Sequence, residues 1–194
     1  MKTTTLLKAV FITAVFISLS SCGTSASDDA IGGKGTGSSS SSIGGSYHII
    51  SMMSDINVDL NNDGFTSNDL LTEIDPSFFD PKNPELTIKP VIYNSQVEEI
   101  MTFVLPHSNV ISNAPGAGSV KFTRNGLGFV YNFDENTQTI NINNGSQTPG
   151  TTGVMESVII SGKNMLQAVF QKDYYDFSTK KWQLLTITCT YRKV

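Results

Sequence analysis

The residues whose types and spacing could do chemistry lie between positions 59 and 73. The run Asp59-Leu60-Asn61-Asn62-Asp63-Gly64-Phe65 sets oxygen-bearing side chains at alternate positions one, three and five. Such a run can curl around one hard cation, with a glycine at position six allowing the sharp turn and a carbonyl at position seven as the next ligand. Asp59, Asn61 and Asp63 are therefore candidate side-chain ligands, and Phe65 contributes through its carbonyl. Ser67, at position nine, could act directly or through water. Position twelve should carry a bidentate carboxylate and is Leu70. Asp69 stands one residue early and Glu73 one helical turn later, and either could complete the shell. An incomplete end points to weak, structural calcium binding. The same residues also build turns, and Asp69 can cap a helix, with no metal involved.

Little else is arranged for catalysis, and the chain reads as non-enzymatic. His48 and His107 are its two histidines, so a zinc site of His and Cys ligands is not available. There is no Gly-x-Ser-x-Gly elbow and no phosphate-binding glycine loop. Glu98 and Glu99 are neighbours in a strand and face opposite sides. Trp182, Phe170 and Tyr175 read as core residues rather than as a sugar platform.

The elements around the acidic run are mostly strands. Alternating or apolar stretches cover 47–53, 85–93, 97–105, 119–124, 127–133, 137–142, 154–160, 165–172 and 182–191. Pro90 marks a bend or an edge. Asn125-Gly126 reads as a two-residue hairpin turn. Asp134-Glu135-Asn136 and Ser161-Gly162-Lys163-Asn164 are further turns, and Asn144-Gly145 opens a polar loop. Phe129, Tyr131 and Phe133 share one face, as do Leu185, Ile187, Cys189 and Tyr191. One short helix follows the first strand, with Thr66 as its cap, Leu70, Leu71 and Ile74 as its apolar face and Pro76 ending it. About eight or nine strands joined by tight turns argue for an all-β fold, an antiparallel meander barrel with a β-sandwich as the alternative.

The amino-terminal region has a different character. Lys2 and Lys8 precede an apolar stretch from Ala9 to Leu19, too short to span a bilayer and shaped like an export signal. Leu19-Ser20-Ser21-Cys22 looks like a lipobox, which implies cleavage before Cys22 and a lipid anchor on that cysteine. The alternative is an ordinary signal peptide with a chance cysteine. Residues 22–46 are rich in Gly and Ser, too poor in apolar groups to offset chain entropy. A coil of about 25 such residues spans roughly 25–30 Å. Ser27-Asp28-Asp29 is either a solvated part of that linker or a signal for export to the cell surface. Residues 47–194 then form one domain.

Removing residues 1–21 takes away two lysines and no acid, so the formal charge moves from −4 to −6. An acidic chain without a basic cluster argues against nucleic acid as a partner. With Cys22 lipidated, Cys189 is left without an internal partner and reads as a buried, inert thiol.

Gly45-Ser46-Tyr47 at a first strand, Asp59-Leu60-Asn61-Asn62-Asp63-Gly64, and Asp69-Leu70-Leu71-Thr72-Glu73 together resemble the lipocalin-like lipoproteins of Bacteroidetes bacteria. Tyr47 replaces that family's usual Trp, and a Cys that often follows its helix is absent here. The resemblance implies a barrel on a lipidated stalk at the outer membrane, facing the cell surface or the periplasm. It implies a binding module, for a small apolar ligand or a surface protein partner. A structural or adhesive domain with a filled core is the alternative.

Overall fold

A computed structural model describes residues 41–93, 95–112, 118–142 and 150–194. Cys22, the export signal, Ser27-Asp28-Asp29 and the Asn144-Gly145 loop lie outside the described residues. Within them the fold is all-β, an antiparallel sheet that curls into a nearly closed barrel. The strands are β1 (Gly45–Val58), β2 (Ser67–Asp69), β3 (Leu86–Tyr93), β4 (Gln96–Ser112), β5 (Gly118–Asp134), β6 (Thr139–Ile142), β7 (Val154–Gly162), β8 (Met165–Asp176) and β9 (Lys181–Lys193). Their order across the sheet is β6-β5-β4-β3-β1-β9-β8-β7, with β2 paired to β1. Sequence neighbours pair in two meanders, which β1 joins by pairing with both β3 and β9. The outermost strands, β6 and β7, come alongside one another at the seam.

The strand count agrees with the sequence reading, but not for the expected reason. Asn125-Gly126 is not a turn. It lies inside the 17-residue β5, with Asn125 opposite Leu105 and Gly126 opposite Val104. A dipeptide's local preference yields here to an unbroken ladder running from Ile100↔Val130 to Ser112↔Gly118. The additional strand is β2, a short return onto β1 that the sequence does not announce. Pro90 does mark an edge. β3 pairs with β1 only through Leu86–Ile88, so among the described residues Pro90 has no neighbour on that side to miss its N–H.

Alternation sets the core. Along β8, Leu166, Ala168, Phe170, Lys172, Tyr174 and Asp176 point inward, and along β9 Leu185, Ile187, Cys189 and Tyr191 do the same. Phe103 lies at the centre, with edge-to-face contacts to Phe170 at 5.3 Å, Tyr191 at 5.6 Å and Phe129 at 6.1 Å. Tyr47, Met52, Met101 and Tyr174 fill the space around it. Tyr174 donates to the Pro106 carbonyl at 2.7 Å. Cys189 is buried as expected, and burial pushes its thiol up to about 12.

Residues 41–46, which composition groups with the linker, pack on the barrel. Ile43 is buried, and its carbonyl accepts from the Tyr47 hydroxyl at 2.6 Å. Ser42 donates through its backbone N–H and its hydroxyl to Glu135 in the β5–β6 turn. The chain thus enters at the end of the barrel that also holds the β5–β6 and β7–β8 turns and the end of β9. The acidic run lies at the opposite end, after β1.

Candidate functional site: the acidic loop and its cleft

Asp59 is buried at the root of the loop, where β1 ends. Its backbone N–H donates to Asp176 at 3.0 Å, and its carbonyl accepts from Phe177 N at 2.8 Å, so the loop is clamped to the β8–β9 turn. Burial disfavours the Asp176 carboxylate. Hydrogen bonds from Thr179, the Asp59 N–H and Ser178 outweigh that and hold its carboxyl below the usual range. The Asp59 carboxylate accepts from Asn62 N at 2.7 Å and Gly64 N at 3.1 Å. Asn62 and Gly64 hold φ of 64° and 86°, a left-handed geometry that Gly64 supplies without a Cβ penalty. Asn61 accepts from Asp63 N and donates its amide to the Asp63 carboxylate at 3.1 Å. Asp63 in turn accepts from Phe65 N at 2.8 Å.

The two candidate closing groups take different positions. Asp69 caps the helix α1 (Leu70–Glu73), accepting from Leu71 N at 3.1 Å. Thr66, the expected cap, is not the capping residue, because Ser67–Asp69 is extended as β2 and the helix begins later. Glu73 instead comes back to the loop, buried, and accepts from Leu60 N at 2.9 Å. Burial raises its pKa, and the nearby charges of Asp63 and Asp59 add to that rise, against backbone N–H donors at Leu60 and Asn61. Phe65 is exposed. The structure therefore brings Asp59, Asn61, Asp63 and Glu73 into one hydrogen-bonded or electrostatically coupled group and leaves Asp69 with the helix. Among the described residues, no three acidic groups converge closely enough to hold a metal ion as they stand.

Beside this loop lies a cleft of about 490 Å³. The segment from α1 through the 3₁₀ turn Pro76–Phe78 forms one wall, and the first part of β5 forms the other. Asn61, Glu73, Pro76, Phe78, Phe122 and Arg124 line it, joining apolar rings to a few polar groups.

Arg124 and Glu85 hold that wall in place, and sequence reading missed both. Glu85 is buried and accepts from His48 Nδ1 at 3.1 Å, Ile49 N at 3.1 Å and Arg124 at 3.4 Å. Arg124 also donates to the carbonyls of Phe78, Asn83 and Pro84 and lies 5.0 Å over the Phe78 ring. Positions 48, 85 and 124 meet only through long-range pairing, so local spacing carries no signal. Lys172 was also missed, though it stands at an inward position of an apolar alternation. It is fully buried, donates to the Thr151 carbonyl and lies 5.4 Å from the Tyr174 ring. Burial lowers its pKa to about 8, with Asp173 opposing that shift.

The aromatic group expected in the core is split. Phe170 is inside, whereas Trp182 is 47% exposed and stands edge-to-face with Tyr175 on the outer face. Alternation explains this, because Tyr175 is odd-numbered in a strand whose even positions point inward.

Comparison with protein-family models, curated proteins and solved structures finds no match to this chain.

Proposed function

We propose that this chain is a cell-envelope lipoprotein, held in the outer membrane by lipid on Cys22, whose barrel serves as a non-catalytic binding module. The cleft between α1 and β5 carries the reading. The barrel interior is occupied by Phe103, Phe170, Tyr174 and Tyr191, which favours the cleft over the lumen for a ligand. Its Phe78 and Phe122 walls suit an apolar body, and Asn61 and Glu73 suit one polar group. The acidic loop borders the same cleft. Calcium held by Asp59, Asn61, Asp63, the Phe65 carbonyl and Glu73 would brace one wall, once the loop tightens around it.

Native mass spectrometry of the purified chain tests the binding role. A retained small molecule that is lost in Ser77→Trp, which fills the cleft from an exposed position, is the expected result. Retention of the same mass in Ser77→Trp places the ligand elsewhere. Cys22→Ser should give a chain that is exported and no longer fractionates with membranes. The packed interior favours a second reading, a structural or adhesive surface domain. It predicts no retained mass from either protein, with the loop acting only as a brace.

A further inference from the structure

The barrel does not end evenly where the chain enters. β3 leaves β1 after Ile88, and β4 leaves β5 before Ile100, yet the β3–β4 ladder continues through Lys89↔Ile100, Val91↔Glu98 and Ile92↔Val97 to Tyr93↔Gln96. Residues 89–93 and 95–99 are thus a two-stranded arm, with no further strand paired on either side among the described residues. From Ile88 to Tyr93 it runs about 17 Å past Gly45 at ~3.4 Å per residue. Near its tip Ile92 and Val97 stand directly opposite one another, 77% and 54% exposed. Ile92 continues the inward-facing register of Ile88, but Pro90 and Glu99, whose carboxylate accepts from the Tyr131 hydroxyl at 3.1 Å, come between, so Ile92 and Val97 form a separate apolar pair beyond the rim. Pro90 removes an N–H from the arm's free edge, which makes that edge a poor template for another strand.

We infer that this arm rests its tip in the lipid interface of the membrane that carries the anchor, so that the barrel stands with its acidic loop and cleft turned away from the bilayer. The inference rests on the anchored reading above, and three observations favour lipid as the occupant. The chain enters the barrel at Ser41, on the same end as the arm, so a tether from Cys22 presents this end to the membrane. The intervening segment from Gly23 to Ser40 is mostly Gly and Ser and holds one large apolar side chain, Ile31, too little to cover both Ile92 and Val97. Charge is also divided between the ends. Lys89, Lys163, Arg192 and Lys193 offset the acids at the arm's end. At the opposite end Asp59, Asp63, Asp69, Glu73, Asp75 and Asp176 outnumber Lys121, Lys180 and Lys181, so repulsion from anionic headgroups is weaker with that end turned away.

The experiment uses two full-length lipidated proteins in vesicles of phosphatidylethanolamine and brominated phosphatidylcholine. The wild type has one tryptophan, Trp182, at the acidic-loop end. The second protein, Ile92→Trp with Trp182→Phe, moves that reporter to the arm, where an exposed position leaves the fold undisturbed. Blue-shifted emission at position 92, quenched several-fold more by bromine than emission at position 182, is the expected result. If both proteins float with the vesicles and position 92 is no more quenched than position 182, the arm does not touch lipid and the anchor alone survives; a partner protein would then be the tip's occupant. Failure of the wild type to float overturns anchor and arm together. Quenching at position 92 in a chain whose mass shows no lipid on Cys22 supports the arm and overturns the anchor.

Discussion

Gly126→Val separates two shapes for the same stretch of chain. In a two-residue turn, Gly126 would hold positive φ, and a β-branched residue there would destabilise the domain by about 1–2 kcal/mol. In β5 it has no such φ, and its side faces outward. A Cβ built there meets Thr102 Cγ2 at 3.6 Å, an ordinary van der Waals contact. Valine would stand directly opposite Val104. Replacing a mid-strand glycine contributes roughly 0.5–1 kcal/mol through the unfolded chain, and a β-branched cross-strand pair about 0.2–1 kcal/mol. The expected outcome is stabilisation by about 1 kcal/mol, a rise of about 2–4 °C in Tm for a domain of this size. Urea unfolding followed by circular dichroism reads it directly. A loss of 1 kcal/mol or more would refute the continuous strand and return the chain to a hairpin at Asn125-Gly126.

Other perturbations test the interior and the loop. Glu85→Ala strands the Ile49 N–H and leaves Arg124 and His48 without their carboxylate, and should cost on the order of 2–4 kcal/mol in urea unfolding; a change within about 0.5 kcal/mol would dismiss it as a clamp. Lys172 has a folded pKa of about 8 against an ordinary value of 10.5, so between these pH values the unfolded chain binds more protons and stability rises with pH. Lys172→Met should abolish that rise and be the more stable protein at pH 7, by about 1–2 kcal/mol; parallel pH profiles for the two proteins would show that the lysine is not desolvated. Calcium near 1 mM, at a Kd of about 10⁻⁴–10⁻³ M, should add about 0.4–1.4 kcal/mol to wild type, reversed by EDTA and absent in Asp63→Asn. Equal melting temperatures in calcium and EDTA would leave the loop as a turn only.

What could be read from sequence was what depends on near neighbours. The β8 alternation and the tight turn at Lys163-Asn164 follow from period-two burial and turn chemistry, and both stand in the structure. The acidic run folds back on itself because Asp and Asn side chains bond backbone N–H groups two to five residues on. Asn125-Gly126 misled because turn preference is local, whereas 13 consecutive pairings with β4 fix that region as strand. Glu85 was invisible for the complementary reason, since its partners come from β1 and β5 and meet only after the sheet forms. The choice of Glu73 over Asp69 beside the loop turned on a three-residue shift of the helix cap, from Thr66 to Asp69. Once Asp69 is extended and capping, only Glu73 reaches Leu60.

The pairing of β1 with β9 has a consequence in time. Tyr47 meets Lys193 and Ser54 meets Ile187, so the earliest strand takes its longest pairing from the 13-residue β9. Its other partners offer less, three residues of β3 and two of β2. A chain delivered amino-terminus first can form the β3–β4–β5 and β7–β8 hairpins as they emerge, since these close over short loops. β1 must stay largely unzipped until the final strand arrives. Until then Ile49, Ser51 and Met52, which pair with β9 and not with β2 or β3, remain open to proteases and to other chains. Truncating β9 would therefore remove the strand on which closure waits.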